Sequence, residues 1–252
     1  MTEPEWLAAD SPVRLFRHVR SRLSARKLKL LACGCCRLLD PLLSDAQRDT
    51  LAVVERHADG FTTNDDYQRA VDDFGRGVMD TLFQPPADPD DPTPEQIVQP
   101  MESLPAVVAQ ALQAVVTLPN DFGLMRAMQW VSTAARRRAN GVNPLASTRN
   151  AKQQMCEVYR EIVGNPFRER VTAGPEWVLA GGRVTGWMLK VSETARAIAR
   201  GVEADQAFDR LPILADALED DGCSDAELLG HLRGSSHHLR GCWAVDLVLG
   251  KS

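Results

Sequence analysis

The residues of this chain best suited to hold a metal or attack an electrophile are its six cysteines and five histidines, and two short stretches gather several of them. Cys33-Gly34-Cys35-Cys36 sets two thiols three residues apart, and His238 stands four residues before Cys242. A C-x-x-C pair joined to an H-x-x-x-C pair supplies three thiolates and one imidazole, the donor set of a tetrahedral zinc site. Cys223 and His231 are further donors of the same kind. The same residues have a plainer use. Cysteine packs as a small hydrophobe, and C-x-x-C metal pairs normally sit on a turn rather than along a rigid helix. The periodicity places His238, Cys242, Val245 and Leu249 on one stripe of a terminal helix and Cys35 within an arc of leucines. Cys33 falls between Lys29 and Arg37, a basic setting that favours a thiolate. The expectation is a chain that needs no metal or other cofactor. Zinc on Cys33, Cys36, His238 and Cys242, or a reactive cysteine among them, is the alternative.

A second pattern is electrostatic. Between Ser11 and Leu39 there is no acidic residue, while Arg14, Arg17, Arg20, Arg22, Arg26, Lys27, Lys29 and Arg37 carry eight positive charges in a chain of net charge −5. Such a stretch can recognise anions or nucleic acid, and Arg14, Arg17, Arg20, Arg26 and Lys29 would make the contacts. Phe16 is its only aromatic, so it offers no stacking platform for a single strand. The preferred expectation is intramolecular, with acids of the 84–100 segment or of the Asp66–Asp80 face lying against it. Arg136-Arg137-Arg138 complements the dipole of a helix C-terminus.

Two acidic features complete the search. Asp216, Glu219 and Asp220 share a helical face with no histidine spaced to join them, so they read as a solvated surface rather than an acid–base pair. Asp246 interrupts the apolar run Trp243–Leu249. Burying it unpaired is costly, so an ion pair to Arg168, Arg210 or Arg233 is expected to lock the C-terminal helices. Trp243 should pack with Leu214, Leu218 and Leu247.

Other chemistries lack their motifs. No G-x-S-x-G, G-x-G-x-x-G or H-E-x-x-H sequence occurs. Gly250-Lys251-Ser252 looks like the end of a phosphate-binding loop, but Val245 stands where the first glycine is required. With 44% hydrophobic and 25% charged residues over 252 positions, the chain can bury a core without disulfides. The cysteines are too few and too unevenly spaced for a disulfide scaffold and suit a reducing compartment. The acidic start Met1-Thr2-Glu3-Pro4-Glu5 does not fit a secretory signal, and no apolar run is long enough to span a membrane. The expected location is the cytoplasm.

The elements that must position these residues are helices. Apolar positions recur at steps of three and four over about 24–39, 104–118, 122–139, 147–163, 184–200, 211–220, 224–233 and 237–249. Ser44-Asp45-Ala46-Gln47 and Ser224-Asp225-Ala226-Glu227 have capping-box spacing, and Gly60 and Gly164 close helices. Asp66, Arg69, Asp73, Arg76 and Asp80 alternate in sign along a solvent-facing stripe. Residues 172–183 hold three glycines and a proline and read as a loop. Six prolines and three aspartates make 84–100 an acidic, non-helical connector. The expectation is an all-α helical bundle or irregular array. It divides into an N-terminal part over 1–83, the connector, and a C-terminal part over 101–252 with a compact unit at about 205–250.

The segments EPEWL (3–7), RKLKLLACGCCR (26–37), GNPFR (164–168) and FDRLPILADALEDDGCSDAELLGHLRGSSHHLRGCWAVDLVLGK (208–251) resemble an uncharacterised family of paralogous proteins abundant in planctomycete bacteria. The resemblance covers about a third of the chain and implies no activity, substrate or site residue. With no catalytic motif and few aromatics for a ligand pocket, the leading expectation is a non-enzymatic module that works through contacts with another protein. The zinc or reactive-cysteine reading and nucleic-acid binding through 14–37 are the alternatives.

Overall fold

The computed structural model describes residues 1–82, 104–117, 120–138, 144–167, 171–173, 177–180, 187–234 and 237–251. It bears out the all-α expectation. The helices are α1 (Glu3–Leu7), α2 (Pro12–Val19), α3 (Ala25–Arg37), α4 (Asp45–Ala58), α5 (Asn64–Leu82), α6 (Leu104–Thr117), α7 (Asp121–Arg138), α8 (Pro144–Val163), α9 (Glu193–Asp205), α10 (Leu211–Asp220), α11 (Ala226–Arg233) and α12 (Trp243–Leu249). No described helix is long and apolar enough to cross a membrane.

One addition was not foreseen. Residues expected to form a loop and the start of a helix instead contain β1 (Val171–Ala173), β2 (Trp177–Ala180) and β3 (Trp187–Lys190). They form a three-stranded antiparallel meander, with Thr172 opposite Val178 and Val178 opposite Leu189. The strands are three or four residues long, too short to show the alternation by which strands are read.

The chain forms two compact units, Ala9–Glu157 and Met1–Ala8 with Val158–Ser252. This division differs from the expected break at 84–100, which itself lies outside the described residues. The physical reason is α6, whose residues 106–109, 111, 112 and 114–116 are all buried apolar side chains. A helix apolar all round belongs in a core. It packs against α3, α4, α5 and α7, and Tyr67 of α5 donates a hydrogen bond to the Val116 carbonyl at 2.9 Å. Helices before and after the connector therefore share one core.

The second unit contains the C-terminal helices. Their apolar core runs from Val191 to Val248 and includes Ala199, Val202, Leu211, Leu214, Leu218, Leu228, Leu232, Trp243 and Leu247. Trp243 thus shares its core with the three leucines expected of it, and the compact unit begins with α9, earlier than 205. At its other end this unit holds α1 and the last turn of α8. The Arg160 guanidinium donates to the Trp6 carbonyl at 3.2 Å, and the Asn165 amide donates to Glu3.

Capping residues act largely where expected. Ser44 and Gln47 form a reciprocal capping box, and Gly60 and Gly164 take left-handed conformations at φ 77° and 69°. At α11 the cap is Asp225 rather than Ser224; its carboxylate accepts from the Glu227 and Leu228 backbone N–H groups. The last helix is much shorter than expected. It starts at Trp243, because Gly241 turns left-handed at φ 86° and breaks the helical path before it. His238 therefore lies outside the helix, and Cys242 is its N-cap residue.

Leu214 is fully buried in the C-terminal core. Leu214→Ala is expected to cost about 2–5 kcal/mol through the cavity it leaves. A denaturation midpoint equal to the wild type's would show that this core does not hold the unit together.

Candidate metal centre

The break at Gly241 brings four potential donors together. Glu161 projects from the last turn of α8, His231 from the last turn of α11, His238 from the segment between α11 and α12, and Cys242 from the start of α12. One donor atom from each lies within 4.8 Å of all the others. His231 Nε2 is 3.2 Å from Cys242 Sγ and 3.4 Å from Glu161 Oε2. His238 Nδ1 is 3.2 Å from Glu161 Oε1. The two imidazoles meet edge to face at 5.0 Å between centroids, and Trp243 lies against His231 at the same spacing.

Three of these separations, 3.2, 3.4 and 3.2 Å, are close to the edges of a coordination tetrahedron, the two from the imidazoles to Glu161 reaching different oxygens of its carboxylate, and the remaining pairs lie within 4.8 Å. Ligand atoms about 2.0–2.3 Å from a common ion stand about 3.3–3.8 Å apart. The setting is also closed. Glu161 is 5% exposed and Cys242 1%, and the side chains of His238 and His231 are 6% and 16% exposed.

Glu161 is a buried carboxylate, and its described partners are the two imidazoles and Cys242 rather than lysine or arginine. Burial, then the Glu161 charge, pushes the Cys242 thiol well above its ordinary range, while the Val245 and Ala244 N–H groups at the start of α12 pull the other way. His238 Nε2 is buried and finds no hydrogen-bond partner among the described residues. A divalent ion would reverse this balance. One carboxylate and one thiolate offset its two charges, and the imidazoles supply neutral lone pairs. A donor set of sulfur, two nitrogens and one oxygen suits zinc and its transition-metal neighbours, not magnesium or calcium.

The expected zinc set is therefore brought together only in part. His238 and Cys242 meet, His231 joins them, and Glu161 was missed. Cys33 and Cys36 belong to the other compact unit, and Cys223 packs in the C-terminal core. Glu161 is separated from His238 by 77 positions, so no spacing rule finds it. The available signal was its place among Val158, Tyr159 and Ile162, an acid within an apolar stretch like Asp246.

Cys33 also departs from its expected polar, thiolate-favouring position. Residues 30–36 are buried without interruption, and burial, then Glu55, pushes the Cys33 thiol well above its ordinary range. Cys36 is pushed up to about 12, first by burial. The neighbouring cations are already engaged. Arg37 forms a two-pronged pair with Glu55 at 2.9 and 2.8 Å, and Lys29 lies 3.2 Å from His57 Nδ1 and 5.0 Å over the Tyr67 ring.

Two more cations of the basic stretch are tied within its own unit. Arg26 pairs with the fully covered Asp59 carboxylate at 2.7 Å, and Arg20 pairs with Asp121. Its counter-ions thus include residues other than those expected, because α4 and the start of α7 bring them to α3 and its approach. Arg14 and Arg17 are exposed. On α5 the pairs Asp66–Arg69 and Asp73–Arg76 form the anticipated exposed stripe.

Two further acidic expectations are now placed. Asp216 and Glu219 meet Arg233 at the surface. Asp246 is buried at 3% exposure, but Arg233 is taken by that surface pair and Arg210 by Asp205. The third expected partner, Arg168, lies outside the described residues. No protein-family model, curated protein or solved structure matches the chain.

The raised thiol values give a direct test. A thiol reacts as its thiolate, so at pH 8 Cys33 and Cys36 are expected to resist an alkylating reagent in the native protein and react once it is denatured. Rapid native-state labelling of either one would show that α3 is not enclosed as described.

Proposed function

We propose that this chain is a zinc-binding helical module in which Glu161, His231, His238 and Cys242 hold one ion, and that it acts through contacts with another protein rather than by catalysis. The observation that supports this reading is the convergence of four chemically suitable donors within 4.8 Å. Their number and burial favour a structural ion. Four protein ligands complete a tetrahedron, whereas catalytic zinc keeps one position open for water or substrate. The ion would neutralise Glu161 and the Cys242 thiolate together, and the residues would orient it from three separate parts of the unit. This reading departs from the metal-free expectation because the sequence alone does not bring Glu161 or His231 to His238 and Cys242.

The rival within the same geometry is a metal-free knot in which protonated imidazoles donate to the Glu161 carboxylate. Elemental analysis separates the two. Protein supplied with zinc and then freed of excess is expected to retain one ion per chain. Cobalt in its place is expected to give a thiolate-to-metal charge-transfer band that Cys242→Ser abolishes. Glu161→Ala and His231→Ala are expected to weaken binding by more than the roughly 10–100-fold that loss of an outer-shell partner costs, while Cys33→Ser leaves the stoichiometry unchanged. Retention of no zinc, or zinc that survives Cys242→Ser with unchanged affinity, would overturn the proposal.

A further inference from the structure

We infer that Lys29 is a nucleophilic amine and the site at which this chain takes an acyl group from a small thioester, with His57 as its general base and Asn64 holding that base in position. The cluster belongs to the unit Ala9–Glu157 and shares no residue with the proposed zinc centre.

The three residues come from three helices, of which α4 packs against both others. Lys29 sits within α3, His57 in the last turn of α4 and Asn64 at the first position of α5. The left-handed turn at Gly60 ends α4 and returns the chain, so that Asn64 lies beside His57. His57 Nε2 donates to Asn64 Oδ1 at 2.9 Å, which fixes the imidazole proton on Nε2. Nδ1 then carries a lone pair, and Lys29 Nζ donates to it at 3.2 Å. The Tyr67 ring stacks on the imidazole at 4.2 Å between centroids and lies 5.0 Å from the Lys29 nitrogen. Nucleophile, base and orienting group stand in the order that activates a weak nucleophile.

An ordinary lysine is a poor nucleophile because it is an ammonium ion at neutral pH. Lys29 is half-buried, and among the described residues no carboxylate pairs with it. Lys251, by contrast, meets Glu203 at 2.5 Å. Burial lowers the Lys29 ammonium below its ordinary value, with the Cys33 sulfur acting the other way. Lys29 and His57 both keep part of their surface open, so a small reagent can reach the amine. The neutral amine attacks the thioester carbonyl and the N–C bond forms. The surplus proton on nitrogen passes to His57 Nδ1. The C–S bond then breaks with its electron pair on sulfur, and the proton leaves with the thiol. The product is an N-acyl lysine, and a half-buried cation has become a neutral amide. Cys33 does not compete for the acyl group, since it is 1% exposed and its thiol is held in the protonated form.

Mass spectrometry of the full chain, incubated at pH 8 with the acetyl thioester of N-acetylcysteamine, gives the acetylation rate at each lysine. Lys29 is expected to react at least about tenfold faster than the exposed Lys152 of α8. His57→Gln keeps a hydrogen-bond acceptor for the amine but no group that takes its proton. It is expected to abolish the advantage of Lys29 while the helical circular dichroism stays unchanged. Asn64→Ala, at an exposed helix start, is expected to lower the Lys29 rate severalfold, and Asn64→Asp, which keeps an oxygen toward Nε2, to restore most of it. A Lys29 no faster than Lys152 would overturn the proposal. So would an advantage that survives His57→Gln or, should that variant not fold, one that survives Asn64→Ala undiminished, because the Lys29–His57 contact would then be packing alone.

Discussion

A carboxylate buried with no lysine or arginine partner among the described residues is the constraint around which the polar centre of the C-terminal unit is organised. Glu161 is 5% exposed, and its described partners are His231, His238 and Cys242. Two imidazoles can meet the carboxylate as hydrogen-bond donors, but then their lone pairs are not jointly available to a cation. A dication resolves the competition differently, because carboxylate, thiolate and both imidazoles act on it as donors at once. The geometry needed for this is set by the backbone. Gly241 ends the path between α11 and α12 with a left-handed turn, and Cys242 occupies the helix N-cap with its sulfur toward the cluster.

The helical organisation was largely legible in the sequence, since it depends on local chemistry. The Ser44–Gln47 box, the glycine stops at 60 and 164, and the leucine and alanine periodicities are short-range signals, and most elements they mark form where they mark them, the exceptions being β3 at the expected start of α9 and the late start of α12. The division into units was harder to read. Composition marks 84–100 as a boundary, whereas the apolar surface of α6 demands helices on several sides and draws the flanking segments into one core. Tertiary burial overrode a local boundary signal.

The site was half legible for a related reason. His238 and Cys242 were visible as a pair, but the helical spacing used to join them is not how they meet. A continuous helix would have laid them along one stripe; the turn at Gly241 folds the segment so that they share a centre with His231. Cys33 shows the same limit. A helical wheel places it between Lys29 and Arg37 and suggests a basic surface, yet both cations turn to partners on α4, and the thiol is enclosed. A wheel describes one helix and has no information about what a neighbouring helix brings to it.

The two units solve the same problem by different means. Glu55 is as buried as Glu161, and it is met by the forked guanidinium of Arg37 at 2.8 and 2.9 Å, with Asp40 beside the same arginine. That pair is complete within the chain, because a guanidinium is permanently charged and its two donors match the two carboxylate oxygens. Glu161 meets imidazoles, whose charge is conditional, and a thiol that becomes an anion when it loses its proton. An arginine at the second site would give it the permanence of the first. Under the proposed zinc reading, histidine and cysteine leave that compensation to an ion supplied from outside. Unlike a proton, a metal ion uses the sulfur, the nitrogens and the carboxylate oxygen in the same way, as donors to one centre, and it is the choice of cysteine as the fourth residue that favours it.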